Sequence, residues 1–273
     1  MKRVFFSYGI KEVAPLIDWS YFLHAWGIAR DTKQADEIIS DAKAMLDDLD
    51  GKYRTSAIFA LCNAKGNRDD MIIEGATLPL LRQQHCTEGA YNLCLSDFVS
   101  PHGDRIGLFA TSVDGAFGNE YAGDDYRFLL SQTLADRLAE ATATLLHKQV
   151  RTDKELWGYC PNEELTIEDM LAERNQGIRP AVGYPSLPDQ SIIFIIDKLL
   201  ELKNAGIELT VNGAMTPHAS VCGLIIAHPA SQYFAVGKID EEQLCDYANR
   251  RGIPASELAR FLAKNIENPL ALS

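Results

Sequence analysis

The residues best suited to recognise a small charged molecule lie in a proline-rich loop, residues 173–189, with the sequence ERNQGIRPAVGYPSLPD. Arg179 offers a forked guanidinium that matches a carboxylate, and Tyr184 offers a flat ring with a hydroxyl group. The prolines and glycines around them preset the backbone, so this loop would lose little entropy on ordering around a ligand. The alternative is a plain connector in which Arg179 pairs with a nearby glutamate.

The helices expected to support this loop are marked by their periodicity and caps. An amphipathic helix is predicted over residues 31–49, with Asp31 as its cap and Gln34 in the capping-box position. A longer helix is predicted over residues 124–150, with a leucine-rich buried stripe.

Two more helices are predicted near the C-terminus. Asp240 is expected to cap the first, with Gln243 at its capping-box position, and Gly252 is expected to end it. Pro254 is expected to open the second.

Strand-like runs are predicted over residues 56–62, 105–113 and 220–228. A short polar turn follows the last of them and leads into residues 232–239, which predicts an antiparallel hairpin. Strands joined by tight turns, with helices grouped around them, indicate an α+β fold rather than a doubly wound parallel sheet. Because no flexible linker divides the sequence, one domain over residues 1–273 is expected.

Composition narrows the classes of partner. The net charge of −12 argues against nucleic acid and anionic membranes, since both attract basic surfaces. The six cysteines form no CxxC pair, so no metal site is expected, and they should mostly pack as small apolar groups. There is neither a secretory signal nor a membrane-length apolar run, which predicts a cytoplasmic protein. Neither GxGxxG nor GxxxxGK[ST] is present, so no nucleotide cradle is indicated.

Several segments in order resemble one known family. GIRPAVGYP resembles the RPxxGYP signature of the activation domain of cobalamin-dependent methionine synthase. Further similar segments run through nearly the whole chain: APLIDWSYFLHAWGI, LRQQ, YNLCLSDFVSP, DDY, LADRLAEA, WGY and HPASQYFAVGKI. One departure is GYPSLPDQS, which lacks the cysteine of the GYPAC stretch in long methionine synthases.

This resemblance implies a C-shaped α+β domain with a twisted antiparallel sheet flanked by helices. It implies that S-adenosylmethionine binds on the inner surface and donates a methyl group to inactive cobalamin held elsewhere, after a flavodoxin-type donor supplies one electron. Because the sequence contains no homocysteine, folate or cobalamin domain, we expect the reactivation subunit of a split methionine synthase, acting in trans on a cobalamin-binding chain. The alternatives are an S-adenosylmethionine sensor or scaffold, and a reactivator of another corrinoid methyltransferase.

The resemblance also implies residue roles. Asp18 would receive the ligand's α-amino group, Arg179 its carboxylate, and the Ala181 backbone its adenine, while Tyr233 and Phe234 would line the adenosyl part. Three residues would lie near the sulfonium or the cobalamin, and they are the catalytic candidates: Glu140, Glu173 and Tyr184. An acid and an arginine suit a zwitterion, and an acid or an aromatic face suits a sulfonium cation.

Two of these residues also have purely structural interpretations. Asp18 is a suitable cap for a short helix at SYFLHAW. Glu140 follows Arg137 by three residues, which is the spacing of a surface ion pair on a helix.

Overall fold

A computed structural model describes residues 1–86 and 90–267 of the chain. The strands are, in chain order, β1 (Arg3–Gly9), β2 (Arg54–Asn67), β3 (Asp70–Ile73), β4 (Ala76–Pro79), β5 (Asp104–Val113), β6 (Glu208–Leu209), β7 (Met215–Thr216) and β8 (Ser220–Ile225). The α-helices are α1 (Ile10–Val13), α2 (Trp19–Ala25), α3 (Lys33–Leu49), α4 (Asp125–Thr152), α5 (Ile167–Leu171), α6 (Ile193–Leu200), α7 (Glu241–Arg251) and α8 (Ala255–Phe261).

Within the described residues, six strands form a curled antiparallel sheet centred on β2. The order is β4-β3-β2-β5-β8, and β1 pairs with the first half of β2 on the edge that β3 also uses. β2 accommodates both neighbours because it is 14 residues long. The predicted α+β class with a twisted antiparallel sheet and flanking helices is confirmed, as are the three strand predictions, although β8 ends at Ile225.

The middle of the sheet is buried on both faces. Phe59 packs into the core formed with α3 and α4, and its neighbour Ile58 packs into the core formed with α6. Successive side chains of a strand point to opposite faces, so a strand covered on both sides is a near-continuous apolar run. A third apolar cluster joins α7 and α8 to Leu81 and Val236.

Helix α4 forms one wall of the candidate site described below. Asp124 caps it by accepting the Arg127 N–H at 3.0 Å, and the prediction of a long helix here is confirmed. The Thr111 hydroxyl of β5 donates to the carbonyl of Ala139 at 2.9 Å, within a fully buried contact. This bond and the leucine stripe fix α4 across the sheet, and the polar residues on its flank are thereby held in place.

The cap predicted for α3 was wrong by one residue. Thr32, rather than Asp31, accepts the Ala35 N–H, at 3.1 Å. Asp31 lies in the left-handed region at φ 60°, outside the helix. Two residues of capping type stand side by side here, and only the backbone angles decide which one caps.

The C-terminal helices agree with the sequence. Asp240 accepts the Gln243 N–H at 2.8 Å to cap α7, and Gly252 ends the helix in the left-handed conformation. α8 begins directly after Pro254.

The predicted hairpin is wrong, because residues 232–239 form no strand against β8. The edge of β8 opposite β5 is already occupied by the proline-rich loop. Ile178 exchanges two backbone hydrogen bonds of 2.9 Å with Ile226, and the Leu224 N–H donates to the carbonyl of Pro180 at 3.0 Å. A strand pairs along two edges only, so residues 232–239 pass over this loop instead.

The cysteines are all free, and three of the six (Cys62, Cys94 and Cys222) are buried as small apolar groups. Cys86 and Cys245 are exposed, so the predicted packing holds for only half of them. Among residues 1–86 and 90–267, no helix is both long and apolar enough to cross a membrane.

Candidate functional site

A cavity of about 630 Å³ lies between α4, the start of α2 and the proline-rich loop. Its volume falls in the range of small-molecule sites, roughly 300–1,000 Å³. Its wall includes all eight residues to which the resemblance gave roles: Asp18, Glu140, Glu173, Arg179, Ala181, Tyr184, Tyr233 and Phe234. The structure therefore brings the whole predicted set together, and the role of each residue stays a prediction.

Arg179 presents an unpaired charge to the cavity. Its Nη2 donates to the Thr144 hydroxyl on α4 at 2.9 Å, and its backbone N–H donates to the Tyr233 hydroxyl at 2.9 Å. In the part of the chain that the structure describes, no carboxylate forms an ion pair with this guanidinium, so the pairing with a nearby glutamate is wrong. A guanidinium oriented by a neutral hydroxyl keeps its capacity for an anionic ligand.

Asp18 both caps a helix and faces the cavity. Its Oδ1 accepts the backbone N–H groups of Ser20 at 2.8 Å and Tyr21 at 3.4 Å, which confirms the cap at the start of α2. Both bonds use the same oxygen, and Oδ2 forms no hydrogen bond with any described residue. The cap thus orients the carboxylate and leaves one oxygen for a ligand.

The proline-rich loop is fixed to β8 by its backbone. Ala181 bridges Gly223, with the Val182 N–H donating to the carbonyl of Cys222 at 2.9 Å on one side of the bridge. In this arrangement the N–H and C=O of Ala181 point away from β8. The Tyr184 N–H donates to the Ala181 carbonyl at 3.2 Å, which closes a turn in which Gly183 takes the positive φ of 85°.

Glu140 and Tyr184 form a contact across the cavity. The Tyr184 hydroxyl donates to Oε1 of Glu140, so α4 and the proline-rich loop are joined directly. Within the described residues Glu140 forms no ion pair with Arg137, and the surface-pair interpretation is wrong. Desolvation and the Glu140 carboxylate both raise the pKa of Tyr184, so its hydroxyl stays a donor at neutral pH.

Tyr233 and Phe234 line the cavity from a segment without strand pairing. The Tyr233 hydroxyl accepts the Arg179 N–H, and the Val236 N–H donates to the carbonyl of Pro185 at 2.8 Å. Desolvation raises the pKa of Tyr233, although the positive charge of Arg179 acts in the opposite direction.

Glu173 has an unusual backbone. It follows α5 at φ 55°, and its N–H donates to Met170 O at 3.2 Å while the Arg174 N–H donates to Asp169 O at 3.0 Å. This is the bonding of a Schellman helix end, in which glycine usually occupies the left-handed position. Desolvation raises the pKa of Glu173, and Arg179 partly opposes the shift.

Comparison with known proteins decides the family. A sequence model of the family described as the activation domain of vitamin B12-dependent methionine synthase matches residues 9–252. The chain belongs to this family. The crystal structure of the MetH reactivation domain bound to AdoHcy is also similar, at 36% sequence identity and a TM-score of 0.90, and the match covers 98% of this chain and 91% of that one. The activation-domain resemblance and the fold it implied are confirmed.

The activation domain depends on two residues that the sequence reasoning missed. Thr144 orients the Arg179 guanidinium. Gly223 permits the loop to approach β8, because a Cβ there would lie 2.2 Å from the carbonyl oxygen of Pro180. A glycine inside a buried strand is a signal of such close approach, and SVCGLIIAH carried it.

A chain of hydrogen bonds that starts at the buried His147 supports the loop of the activation domain from behind. His147 Nε2 lies 2.8 Å from the Tyr159 hydroxyl, which donates to Gln176 O at 3.4 Å. Burial, reinforced by Arg151 and Arg179, lowers the pKa of His147 well below its usual range, so the ring stays neutral. The sequence assigned no role to this histidine.

Replacing Glu173 with glycine is expected to raise the free energy of unfolding by about 0.5–1 kcal/mol. Glycine would relieve left-handed strain of roughly 1–2 kcal/mol in the folded state. It would also make the unfolded chain more flexible, which lowers the free energy of unfolding by about 0.4–1 kcal/mol and offsets part of that stabilisation. Urea denaturation measures the difference. Glu173→Ala is the matched control, because it removes the carboxylate and keeps the strain, and equal stability of the two variants would contradict this account.

Proposed function

We propose that this activation domain binds S-adenosylmethionine in the cavity and presents its methyl group to cobalamin on a partner chain. It would then serve as the reactivation subunit of a split methionine synthase. The observation that carries the proposal is the pairing of two free groups in one cavity: the Arg179 guanidinium, without a carboxylate partner among the described residues, and Oδ2 of Asp18. They complement the carboxylate and ammonium groups of an amino-acid ligand.

The remaining wall suits the other parts of the ligand. Glu140 and Glu173 line the same cavity, and their carboxylates would favour a sulfonium cation over a neutral thioether. The rings of Tyr233 and Phe234 and the outward backbone groups of Ala181 suit a flat purine with polar edges. That the similar MetH reactivation domain was crystallised with AdoHcy supports this choice of ligand.

The protein contributes orientation rather than a nucleophile. Cobalamin on the partner chain would supply the electron pair for the methyl group once a flavodoxin-like donor had reduced it by one electron, and S-adenosylhomocysteine would be the leaving group. Anchoring at Arg179 and Asp18 would hold the methyl in line for that transfer. The bond between Tyr184 and Glu140 would keep the loop closed beside the sulfonium and limit access of water.

The experiment is a titration followed by a transfer assay. Calorimetry with the purified chain is expected to give micromolar affinity for S-adenosylmethionine, or about −8 kcal/mol. Mixing with a cobalamin-loaded methionine synthase fragment, a one-electron reductant and methyl-labelled S-adenosylmethionine is expected to give labelled methylcobalamin. The absence of any binding signal in this titration would overturn the proposal.

The same assay separates the alternatives. A sensor or scaffold would bind S-adenosylmethionine and the corrinoid protein without transferring the label. A reactivator of another corrinoid methyltransferase would methylate that enzyme's corrinoid protein and leave the methionine synthase fragment unlabelled.

A further inference from the structure

Tyr233 and Phe234 line the cavity although no strand holds the segment 233–236 to which they belong. Three hydrogen bonds fix this segment: the Tyr233 hydroxyl accepts the Arg179 N–H at 2.9 Å, the Val236 N–H donates to Pro185 O at 2.8 Å, and the Ala235 carbonyl accepts from Nε2 of Gln83 at 2.8 Å. The first two bonds come from the proline-rich loop. The third comes from a distant part of the chain and is the only side-chain bond to the backbone of this segment among the described residues.

The amide of Gln83 has one possible orientation. Its Oε1 accepts the Leu93 N–H at 3.0 Å, and its own backbone N–H donates to Leu93 O at 3.0 Å. A backbone N–H requires an oxygen and a backbone carbonyl requires a donor, so Nε2 must face Ala235. Gln83 therefore connects the backbone at Leu93 to the backbone at Ala235.

The base of this connection is rigid. Arg82 forms a two-bonded contact with Asp97, both distances 2.7 Å, and its Nε donates to Asp69 at 2.7 Å. Asp97 also accepts the Cys94 N–H at 2.9 Å, which holds the turn that follows Leu93. Paired planar groups of this kind fix geometry as well as energy.

We infer that Gln83 is a positioning residue for the adenosyl side of the cavity, holding Ala235 so that Tyr233 and Phe234 stay in its wall. The inference rests on the proposed function. Truncating or reversing this amide would let the segment drift while Arg179 and Asp18 stay in place. The loss would therefore fall on the adenosyl part of the ligand and spare the recognition of its amino-acid end.

The test compares Gln83→Glu with Gln84→Glu in the full chain. Gln83→Glu keeps the acceptor for Leu93 and puts an oxygen against the Ala235 carbonyl. Gln84 accepts the Asp240 N–H at 2.6 Å and also hydrogen-bonds the Asp240 side chain. A glutamate there keeps the first bond, loses the second and adds the same charge one residue away, so it is a stringent control for the effect of charge. Gln83→Met, a neutral side chain of similar length, removes both the donor to Ala235 and the acceptor for Leu93, and it checks that charge is not the cause.

The ligands are S-adenosylmethionine and 5′-methylthioadenosine, which lacks the amino-acid end. Gln83→Glu and Gln83→Met are expected to weaken the binding of both ligands about 10-fold, whereas the affinities of Gln84→Glu stay within about two-fold of those of the natural chain. Arg179→Ala is expected to weaken the binding of S-adenosylmethionine and to leave the binding of 5′-methylthioadenosine unchanged. If Gln83 served stability alone, its variants would have lower melting temperatures, but the folded variants would bind both ligands as tightly as the natural chain does.

The failures are distinguishable. If the natural chain binds neither ligand, the proposed function is overturned and this inference with it. If the natural chain binds both and the Gln83 variants bind as tightly as Gln84→Glu, the inference alone is overturned.

Discussion

Replacing Arg179 with alanine is expected to raise the dissociation constant for S-adenosylmethionine about 100-fold, or about 3 kcal/mol. A charge-assisted hydrogen bond contributes roughly 1.5–3 kcal/mol, and the fork of Arg179 offers two such bonds to a carboxylate. Within the described residues the guanidinium bonds only Thr144, so its removal should lower the free energy of unfolding by less than about 1 kcal/mol. Calorimetric titration and urea denaturation of the same preparation measure both quantities.

Arg174→Ala is the matched control for this change. Like Arg179, Arg174 lies in the segment that follows α5. Its side chain is 70% exposed and pairs with Asp169, and neither residue belongs to the cavity wall. Its removal is expected to leave affinity within about two-fold, because an exposed ion pair contributes little. Arg179→Lys keeps the charge without the fork and should fall between the two. An affinity that is equal for Arg179→Ala and Arg174→Ala would remove Arg179 from the proposed site.

Replacing Gly223 with alanine is expected to destabilise the fold by about 3 kcal/mol and to weaken ligand binding at least about 10-fold. The added Cβ would lie 2.2 Å from Pro180 O and 2.8 Å from the Cα of Ala181. Both are backbone atoms, so relief requires the proline-rich loop to move away from β8, at the upper end of the usual cost of overpacking. The movement would displace Arg179 and Ala181 from their positions opposite α4 in the cavity wall.

Denaturant unfolding and titration of the folded variant check this prediction. Gly123→Ala is the control, since no heavy atom lies within 4 Å of its added Cβ and its φ is not positive. Should Gly223→Ala match Gly123→Ala in stability, the contact between loop and strand would be less rigid than the structure indicates.

Local patterns were sufficient for four helices, α3, α4, α7 and α8, and for three strands of the sheet, β2, β5 and β8. α4 begins within one residue of its predicted start, α7 begins at its predicted cap, and β2, β5 and β8 contain the predicted apolar runs. The predicted hairpin failed because strand pairing is decided by competition for an edge. Residues 232–239 have the composition of a strand, but residues 178–182 occupy the place beside β8.

The residues of the candidate site likewise fall into those that local sequence patterns predicted and those that only the fold revealed. The eight wall residues were found through motifs of the family, and each motif is a short local string. Thr144, Gly223 and Gln83 act through partners 35 or more positions away: Arg179, Pro180 and Ala235. A single sequence does not encode such pairs in any local spacing, so the fold was needed to find them. Asp18 fits both of its interpretations, because one carboxyl oxygen caps α2 while the other has no hydrogen-bond partner among the residues that the structure describes.

The backbone bonds between the proline-rich loop and β8 have a consequence for self-association. Without them β8 would expose a row of N–H and C=O groups at the margin of a six-stranded sheet, and such rows recruit strands from other molecules. An ordinary strand in that position would pair onward in turn. On this loop the outward Arg179 N–H donates to the Tyr233 hydroxyl, the outward Ala181 carbonyl accepts the Tyr184 N–H, and the chain turns away at Gly183. The segment that carries Arg179 thus also terminates the sheet, and selection against aggregation would restrain the same residues as selection for ligand binding.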